Sequence, residues 1–324
     1  VSRARGALSQ FPFHSNTKHT TMNTLQTILV PVDFSTGSRA ALDHASRLAK
    51  LHQARLLVLH VMDSYAIAVL AGRRGEAFDS AAAHALAGGR KALDSWLAQT
   101  QLPEGHEVEI LIGAPLHEIL EQVKKMDADL LVAGVAGMGE NTGSAGSVSG
   151  KLARKSPVDV LLVRSGHPGV FQKVVACVDF SPHSQRVVAA AREVALQDSA
   201  AVDFLHVWSP SHSLLSAAGG YGEVFVDVAD MEKTAHEEEK KSAAAQLHEL
   251  VKDAAQGISA REVLYEDAKA GHGIADHSQA AGADLIIIGA LGRTNLRYLF
   301  LGSTAERLLA RLSCSVLVIK PVDE

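Results

Sequence analysis

Short apolar runs alternate along this chain with longer segments of helical periodicity. The runs, rich in Val, Ile and Leu, fall at 28–33, 56–61, 107–112, 129–134 and 159–163, then at 174–179, 202–207, 261–265, 284–289 and 315–319. Continuous apolar runs of this length predict parallel strands buried on both faces. Between the first two, Ala41, Leu42, Ala45, Leu48 and Ala49 share one side of a helix. The alternation predicts an α/β fold of two tandem Rossmann-like, doubly wound domains, each a five-stranded parallel sheet flanked by helices. The segments after the second strand of each half, 64–100 and 210–257, read as mobile loops feeding a long helix. Within the second, His236-Glu-Glu-Glu-Lys-Lys241 reads as a solvated helix face.

The two sets of runs are copies. Ile28-Leu-Val-Pro-Val-Asp33-Phe-Ser35 recurs as Val174-Val-Ala-Cys-Val-Asp179-Phe-Ser181, and Leu57-Val-Leu-His60-Val61 as Phe204-Leu-His206-Val207. Asp129-Leu-Leu-Val-Ala-Gly134 recurs as Asp284-Leu-Ile-Ile-Ile-Gly289, and Gly146-Ser147 as Gly302-Ser303. The order is kept, so the chain is a duplication with small insertions. The turn-rich Ser165-Gly-His-Pro-Gly169 marks the boundary. The expected domains are 25–165 and 170–324, after a polar, basic tail over 1–24 that lacks the apolar core of a signal peptide.

Composition narrows the function classes. With aromatics at 5%, aliphatic side chains must build the core. The net charge of −5 is concentrated late: residues 171–324 hold 14 Lys and Arg against 21 Asp and Glu. That argues against bulk electrostatic binding of nucleic acid or an anionic membrane, though not against a local phosphate pocket. Cys177 and Cys314 sit inside apolar runs and read as small buried hydrophobes; the lack of a disulfide framework fits a cytoplasmic protein. No apolar stretch approaches the ~20 residues that span a bilayer.

The residues that could carry chemistry lie at strand ends. In an open parallel sheet, ligands bind beyond the carboxyl ends of strands, where neighbouring connections leave toward opposite faces. Asp33 and Asp179 end the first strand of each half, and a glycine loop begins where the fourth ends. In the second half that loop runs from Gly289 through Gly292 and Arg293 to Gly302-Ser303-Thr304, which opens a helix. Glycines let backbone approach a phosphate, and the helix start adds free N–H groups and hydroxyls.

On these residues the chain resembles a tandem universal stress protein. Gly289, Gly292, Gly302 and Ser303 match the family's ATP-binding pattern G-x2-G-x9-G-[S/T] with full spacing. The resemblance spans about residues 25–324. It implies strand order 3-2-1-4-5 in each half and ATP, with or without magnesium, across the C-terminal sheet edge. It also implies that Val178 and Asp179 meet the adenosine moiety, Val207 the adenine edge, and Ile288 and Gly289 the ribose side. Gly292, Gly302, Ser303 and Thr304 would hold the phosphates, with Arg293 adding positive charge. Single-domain members pair through their last strands, so the resemblance implies the same pairing inside this chain, as an intramolecular pseudo-dimer. Further association of two chains stays open.

The first half departs from the pattern. It keeps Asp33, Val61, Gly134 and Gly137, and Gly146-Ser147-Val148-Ser149 makes a phosphate turn. The stretch between Gly137 and Gly146 is one residue short and has no Arg. This site binds ATP less tightly, prefers AMP or ADP, or stays empty. His60 and His206 read as structural strand-end residues, and His272 and His277, five apart, are poorly spaced to share a metal. No metal site and no catalytic machinery are legible: there is no G-x4-GK[S/T] loop and no G-x-S-x-G elbow. The expectation is a cytoplasmic, ATP-binding stress or regulatory protein that is not an enzyme and signals to an unidentified protein partner. The alternatives are a slow ATPase or nucleotide-transfer enzyme, and a scaffold for another small ligand or protein.

Overall fold

The computed structural model describes residues 25–135, 147–166, 169–209, 225–291, 302–309 and 313–321, with the side chains of 147 and 225–232 left aside. In the first half the strands are β1 (Thr27–Pro31), β2 (Arg55–Asp63), β3 (Glu107–Gly113), β4 (Leu130–Gly134) and β5 (Asp159–Val163). Its helices are α1 (Thr36–His52), α2 (Ser64–Arg74), α3 (Phe78–Leu97), α4 (Pro115–Lys125) and α5 (Ser147–Lys155). The second half has β6 (Lys173–Cys177), β7 (Ala201–Trp208), β8 (Ala260–Glu266), β9 (Leu285–Gly289) and β10 (Ser315–Ile319). With them come α6 (Ser184–Asp198), α7 (Phe225–Val251), α8 (Ala270–Ala280) and α9 (Ser303–Leu309).

All ten strands join one sheet, in the order β3-β2-β1-β4-β5-β10-β9-β6-β7-β8. Each half keeps the order 3-2-1-4-5, with every pairing inside it parallel. Successive strand residues point to opposite faces. Ile28, Val30, Val174 and Ala176 therefore join one apolar layer, under α1, α3, α6 and α7. Leu29, Leu131, Val175 and Cys177 join the other, under α4, α5, α8 and α9. Each layer runs unbroken through both halves, because β5 and β10 pair antiparallel through Val160, Leu161 and Leu162 against Val318, Leu317 and Val316. This pairing covers two apolar edges that would otherwise be aggregation-prone.

Polar contacts flank the seam in a pseudo-symmetric way. The Arg164 N–H donates to Ser315 Oγ (3.1 Å), and the Lys320 N–H to Asp159 Oδ1 (2.7 Å). Lys320 Nζ donates to the carbonyls of Ala153 (2.6 Å) and Arg154 (3.1 Å), so a lysine of the second half caps the C-terminal turn of α5 in the first. Burial pushes the Lys320 ammonium down to about 8, opposed by the nearby Asp159 carboxylate. Arg47 of α1 grips the buried Asp198 of α6 with both terminal nitrogens (2.7 and 3.1 Å).

The sequence misplaces one region. Segment 64–100, expected as a loop and one helix, is two helices: α2 begins one residue after β2 is complete, capped by the Asp63 side chain, and ends at Gly75 in the left-handed region (φ 63°). The stretch of 210–224 in the corresponding segment lies outside the described residues. The halves also differ beneath β7. Asp203, fully buried, accepts hydrogen bonds from Lys173 Nζ (2.6 Å), Arg261 Nε and Nη2 (2.9 and 2.6 Å) and His277 Nε2 (3.0 Å). Burial alone would raise its carboxyl, but these donors outweigh that and hold it well below the usual carboxylate range. The repeat puts the apolar Leu57 at this position in the first half.

Candidate functional site

The site begins where β6 stops. The strand ends at Cys177, two residues before Asp179, rather than on Asp179 as the apolar run suggested. Asp179 Oδ1 accepts from the Ser181 N–H (3.0 Å) and from Ser184 Oγ (2.9 Å), while the Ser184 hydroxyl accepts from the Asp179 N–H (3.1 Å). Phe180 then takes a left-handed conformation (φ 62°), rare for a bulky residue and costing about 1–3 kcal/mol. Its ring lies 4.0 Å, centroid to centroid, from the ring of His206, whose Nδ1–H donates to the Val178 carbonyl (2.8 Å). The first half repeats the turn, with one hydroxyl exchanged: Ser35 rather than Ser38, the counterpart of Ser184, donates to the aspartate. Asp33 Oδ1 accepts from the Ser35 N–H and hydroxyl, Phe34 sits at φ 66° against His60, and His60 Nδ1 donates to the Val32 carbonyl (2.8 Å). The two histidines are thus structural, each holding a strained turn that presents a carboxylate.

β9 runs beside β6, and β7 lies on the other side of β6. This is the switch point at which ligands sit in open parallel sheets. A cavity of about 990 Å³ opens there in the second half. It brings together Val178, Asp179, Val207, Ile288, Gly289, Gly302, Ser303 and Thr304, all expected from the sequence. Gly292 and Arg293 lie outside the described residues. The Gly302 N–H donates to the Ala290 carbonyl (2.8 Å), which pins the start of α9 to the end of β9. Val178 lines the cavity with its N–H bonded to the Leu205 carbonyl (2.9 Å) and its carbonyl accepting from His206.

In the first half the corresponding ground is more tightly stitched. α1 starts at Thr36, whereas α6 starts at Ser184, the counterpart of Ser38. The earlier start brings the Gly37 backbone against Gly134: a Cβ on Gly134 would meet the Gly37 carbonyl carbon at 2.6 Å. The second half has His183 where the first has Gly37, and a Cβ on Gly289 would meet nothing closer than the Leu291 carbonyl oxygen at 3.3 Å. The second helix begins two residues later, at Ser184. Ser149, expected at the phosphate turn, instead donates its hydroxyl to the Gly134 carbonyl (2.6 Å) and is buried. Val148 is 38% exposed at the start of α5, and Val61 is half-buried on β2. Gly137, Gly146 and the Ser147 side chain lie outside the described residues.

Some residues near the site were missed. Glu239, Ser242 and Gln246 of α7 line the cavity, although Glu239 belongs to the run expected to be wholly solvated. Its neighbours Glu237, Glu238, Lys240 and Lys241 are exposed as expected; only the helical phase, Glu239 four residues before the buried Ala243, separates it from them. His183 lines the cavity too. His272 and His277 diverge: His277 joins Asp203, whereas His272 Nδ1 lies 2.6 Å from Asp267 Oδ2 and 3.4 Å from Asp276 Oδ2. This last trio is a metal-compatible grouping that the sequence did not suggest. The hydrogen bond from His272, with a second from the Lys269 N–H, holds the Asp267 carboxyl low and accounts for the geometry without an ion. Both cysteines are buried thiols, Cys314 pushed by burial up to about 12, which makes them poor nucleophiles. Among the described residues no helix is long and apolar enough to cross a membrane.

Comparison with known proteins agrees with the duplication. The sequence model of the universal stress protein family matches twice, over residues 24–164 and 171–320. A universal stress protein of Mycolicibacterium smegmatis is 25% identical over 312 residues, covering 91% of this chain and 97% of its own. Universal stress protein A homolog 1 of Coxiella burnetii is 31% identical over 149 residues, 46% of this chain and 96% of its own. Among solved structures, a universal stress protein of Archaeoglobus fulgidus superposes with TM-score 0.58 at 20% identity, covering 94% of this chain and 98% of its own. A putative universal stress protein of Pseudomonas aeruginosa gives 0.59 at 20% identity, covering 93% and 95%. At these identities the two structures speak to the fold.

Proposed function

Because the chain belongs to the universal stress protein family, we propose that it is an adenine-nucleotide-binding regulatory protein that holds ATP in its second half. The observation that carries this reading is the cavity between β6, β7 and β9. One opening gathers the Asp179 carboxylate, the apolar walls of Val178, Val207 and Ile288, and the turn Gly302-Ser303-Thr304. Flat apolar walls suit a base, a fixed carboxylate acceptor suits ribose hydroxyls, and glycine with two hydroxyls suits phosphate. The full G-x2-G-x9-G-S spacing supports ATP in particular. In the first half the strained turn at Asp33 matches that at Asp179, but the crossing of Gly37 on Gly134 and the engaged Ser149 hydroxyl leave less ground for phosphates. Binding rather than turnover is the activity proposed, since Asp179 Oδ1 is anchored by the Ser181 N–H and the Ser184 hydroxyl and so is held as an acceptor rather than as a free acid or base. Nucleotide occupancy would then bias the loops around the cavity, a surface that a protein partner reads.

Titration calorimetry of the purified chain with ATP tests the reading, alongside mass spectrometry of any ligand released on denaturation. Micromolar ATP binding that is lost in Gly302→Val supports it. An absence of binding to nucleotide-free protein would overturn it.

A further inference from the structure

Helix α2 carries apolar side chains on two opposite sides. Ile67 and Ala71 are buried where the helix packs on β2, β3 and α3. At 3.6 residues per turn, Tyr65, Ala66, Val69, Leu70 and Arg73 share the other side, at i, i+1, i+4, i+5 and i+8. That side faces solvent: Tyr65 is 76%, Val69 37% and Leu70 50% exposed, and Ala66 and Arg73 are exposed too. A solvated helix face is ordinarily polar, and a helix that is apolar all round is ordinarily buried. Beside it, α3 exposes Phe78 and Leu86. Five of the nine large hydrophobics exposed among the described residues therefore fall on this one pair of helices, which is a patch rather than scatter.

The ends of the helix say what covers the patch. The exposed Asp63 stands at its start, one oxygen accepting from the Tyr65 N–H (2.8 Å), and a carboxylate has further acceptor capacity. Arg73 closes the apolar face at the other end. Laid antiparallel on a second α2, with the two-fold axis beside Val69, this face is complementary to itself. Val69 meets Val69, and the small Ala66 comes opposite the larger Leu70. The guanidinium of Arg73 reaches the Tyr65 ring and the Asp63 carboxylate of the other copy, and the two helix dipoles run head to tail. We propose that α2 is the contact of a two-fold homodimer, in which each chain pairs through this helix with a second copy of itself. A face of this size stands at the small end of specific interfaces, below about 1,200 Å² in total, so the dimer is weak and reversible, with a Kd on the order of 10 µM. The inference is independent of the ATP reading.

Sedimentation velocity of the full chain, over a concentration series that spans this Kd, tests it. Wild type should pass from monomer to dimer. Val69→Glu sets two carboxylates face to face at the axis, and Arg73→Glu sets one against Asp63. Each should weaken the dimer by about tenfold or more, with thermal melts near those of wild type because both positions are exposed. Val69→Cys should give a disulfide-linked dimer on mild oxidation, whereas Gln99→Cys, exposed just past the end of α3, should not. The native Cys177 and Cys314 are buried and do not compete. Wild type that stays monomeric throughout overturns the proposal, and co-sedimentation of that monomer with anionic vesicles would give the face to a lipid surface instead. A dimer that both charge variants leave intact also overturns it, since the contact then lies elsewhere.

Discussion

The two halves of this chain share a strand order, a strained aspartate turn and a histidine that braces it, yet they treat the crevice beyond the sheet differently. In the first half Gly37 lies against Gly134, Ser149 is tied to the Gly134 carbonyl, and Met62 packs against Gly89. In the second half α6 starts later, α9 is pinned through Gly302 to Ala290, and Glu239 of α7 lines an open cavity. The parts retained in both halves are the aspartate turn and the histidine that braces it; the parts that differ lie around Gly134 and Gly289 and on the helices beside them. After duplication, the helix starts beside the crevice have diverged while the sheet order stays the same.

The comparison can be broken most forcefully beneath β7. Asp203→Asn should cost about 3 kcal/mol in urea unfolding, because removing one partner strands buried charges. The Asp203 carboxyl is held low in the folded state, so its contribution is complete above the ordinary carboxylate range and is lost as pH falls through its folded value. A matching acid-sensitive step should be missing from Asp203→Asn. Next in size is the asymmetry of nucleotide binding: Gly302→Val should weaken ATP binding by about a hundredfold, ~2.7 kcal/mol, and Gly146→Val should change it little. A glycine pair follows. Gly134→Ala must displace backbone and should cost about 1–3 kcal/mol of stability. Gly289→Ala brings its Cβ to 3.3 Å from the Leu291 carbonyl oxygen, which a shift of a few tenths of an ångström relieves, and should cost clearly less than Gly134→Ala. A pH-dependent effect is expected at the seam. The folded Lys320 ammonium sits near 8 against an ordinary 10.5, so the folded state disfavours its charge. Stability should therefore rise between about pH 8 and 10.5, and Lys320→Met should flatten that rise in a pH series of melts.

Most of the fold was legible because apolar run length and turn chemistry are local. The buried stripe Ala41, Leu42, Ala45, Leu48 and Ala49 of α1 follows from helical periodicity alone, and the pairing of β5 with β10 was implied by the family resemblance. What was not legible depends on contacts across the fold. No local signal separates Gly134, crossed by another backbone, from Gly289, which is not. The sequence does not show that the Ser149 hydroxyl reaches the Gly134 carbonyl, because that contact joins α5 to the end of β4. Asp203 sits in an apolar strand pattern, and its three partners come from β6, β8 and α8. Glu239 is hidden in a charged run, where only the phase of α7, set by Ala243 and Leu247, turns it inward.

The measurement that bears most directly on the unequal halves is native mass spectrometry of the chain titrated with ATP, which counts nucleotides per chain. One high-affinity nucleotide per chain, removed by Gly302→Val and kept by Gly146→Val, is the expected result. Two equivalent nucleotides, or one that survives Gly302→Val, would contradict the account.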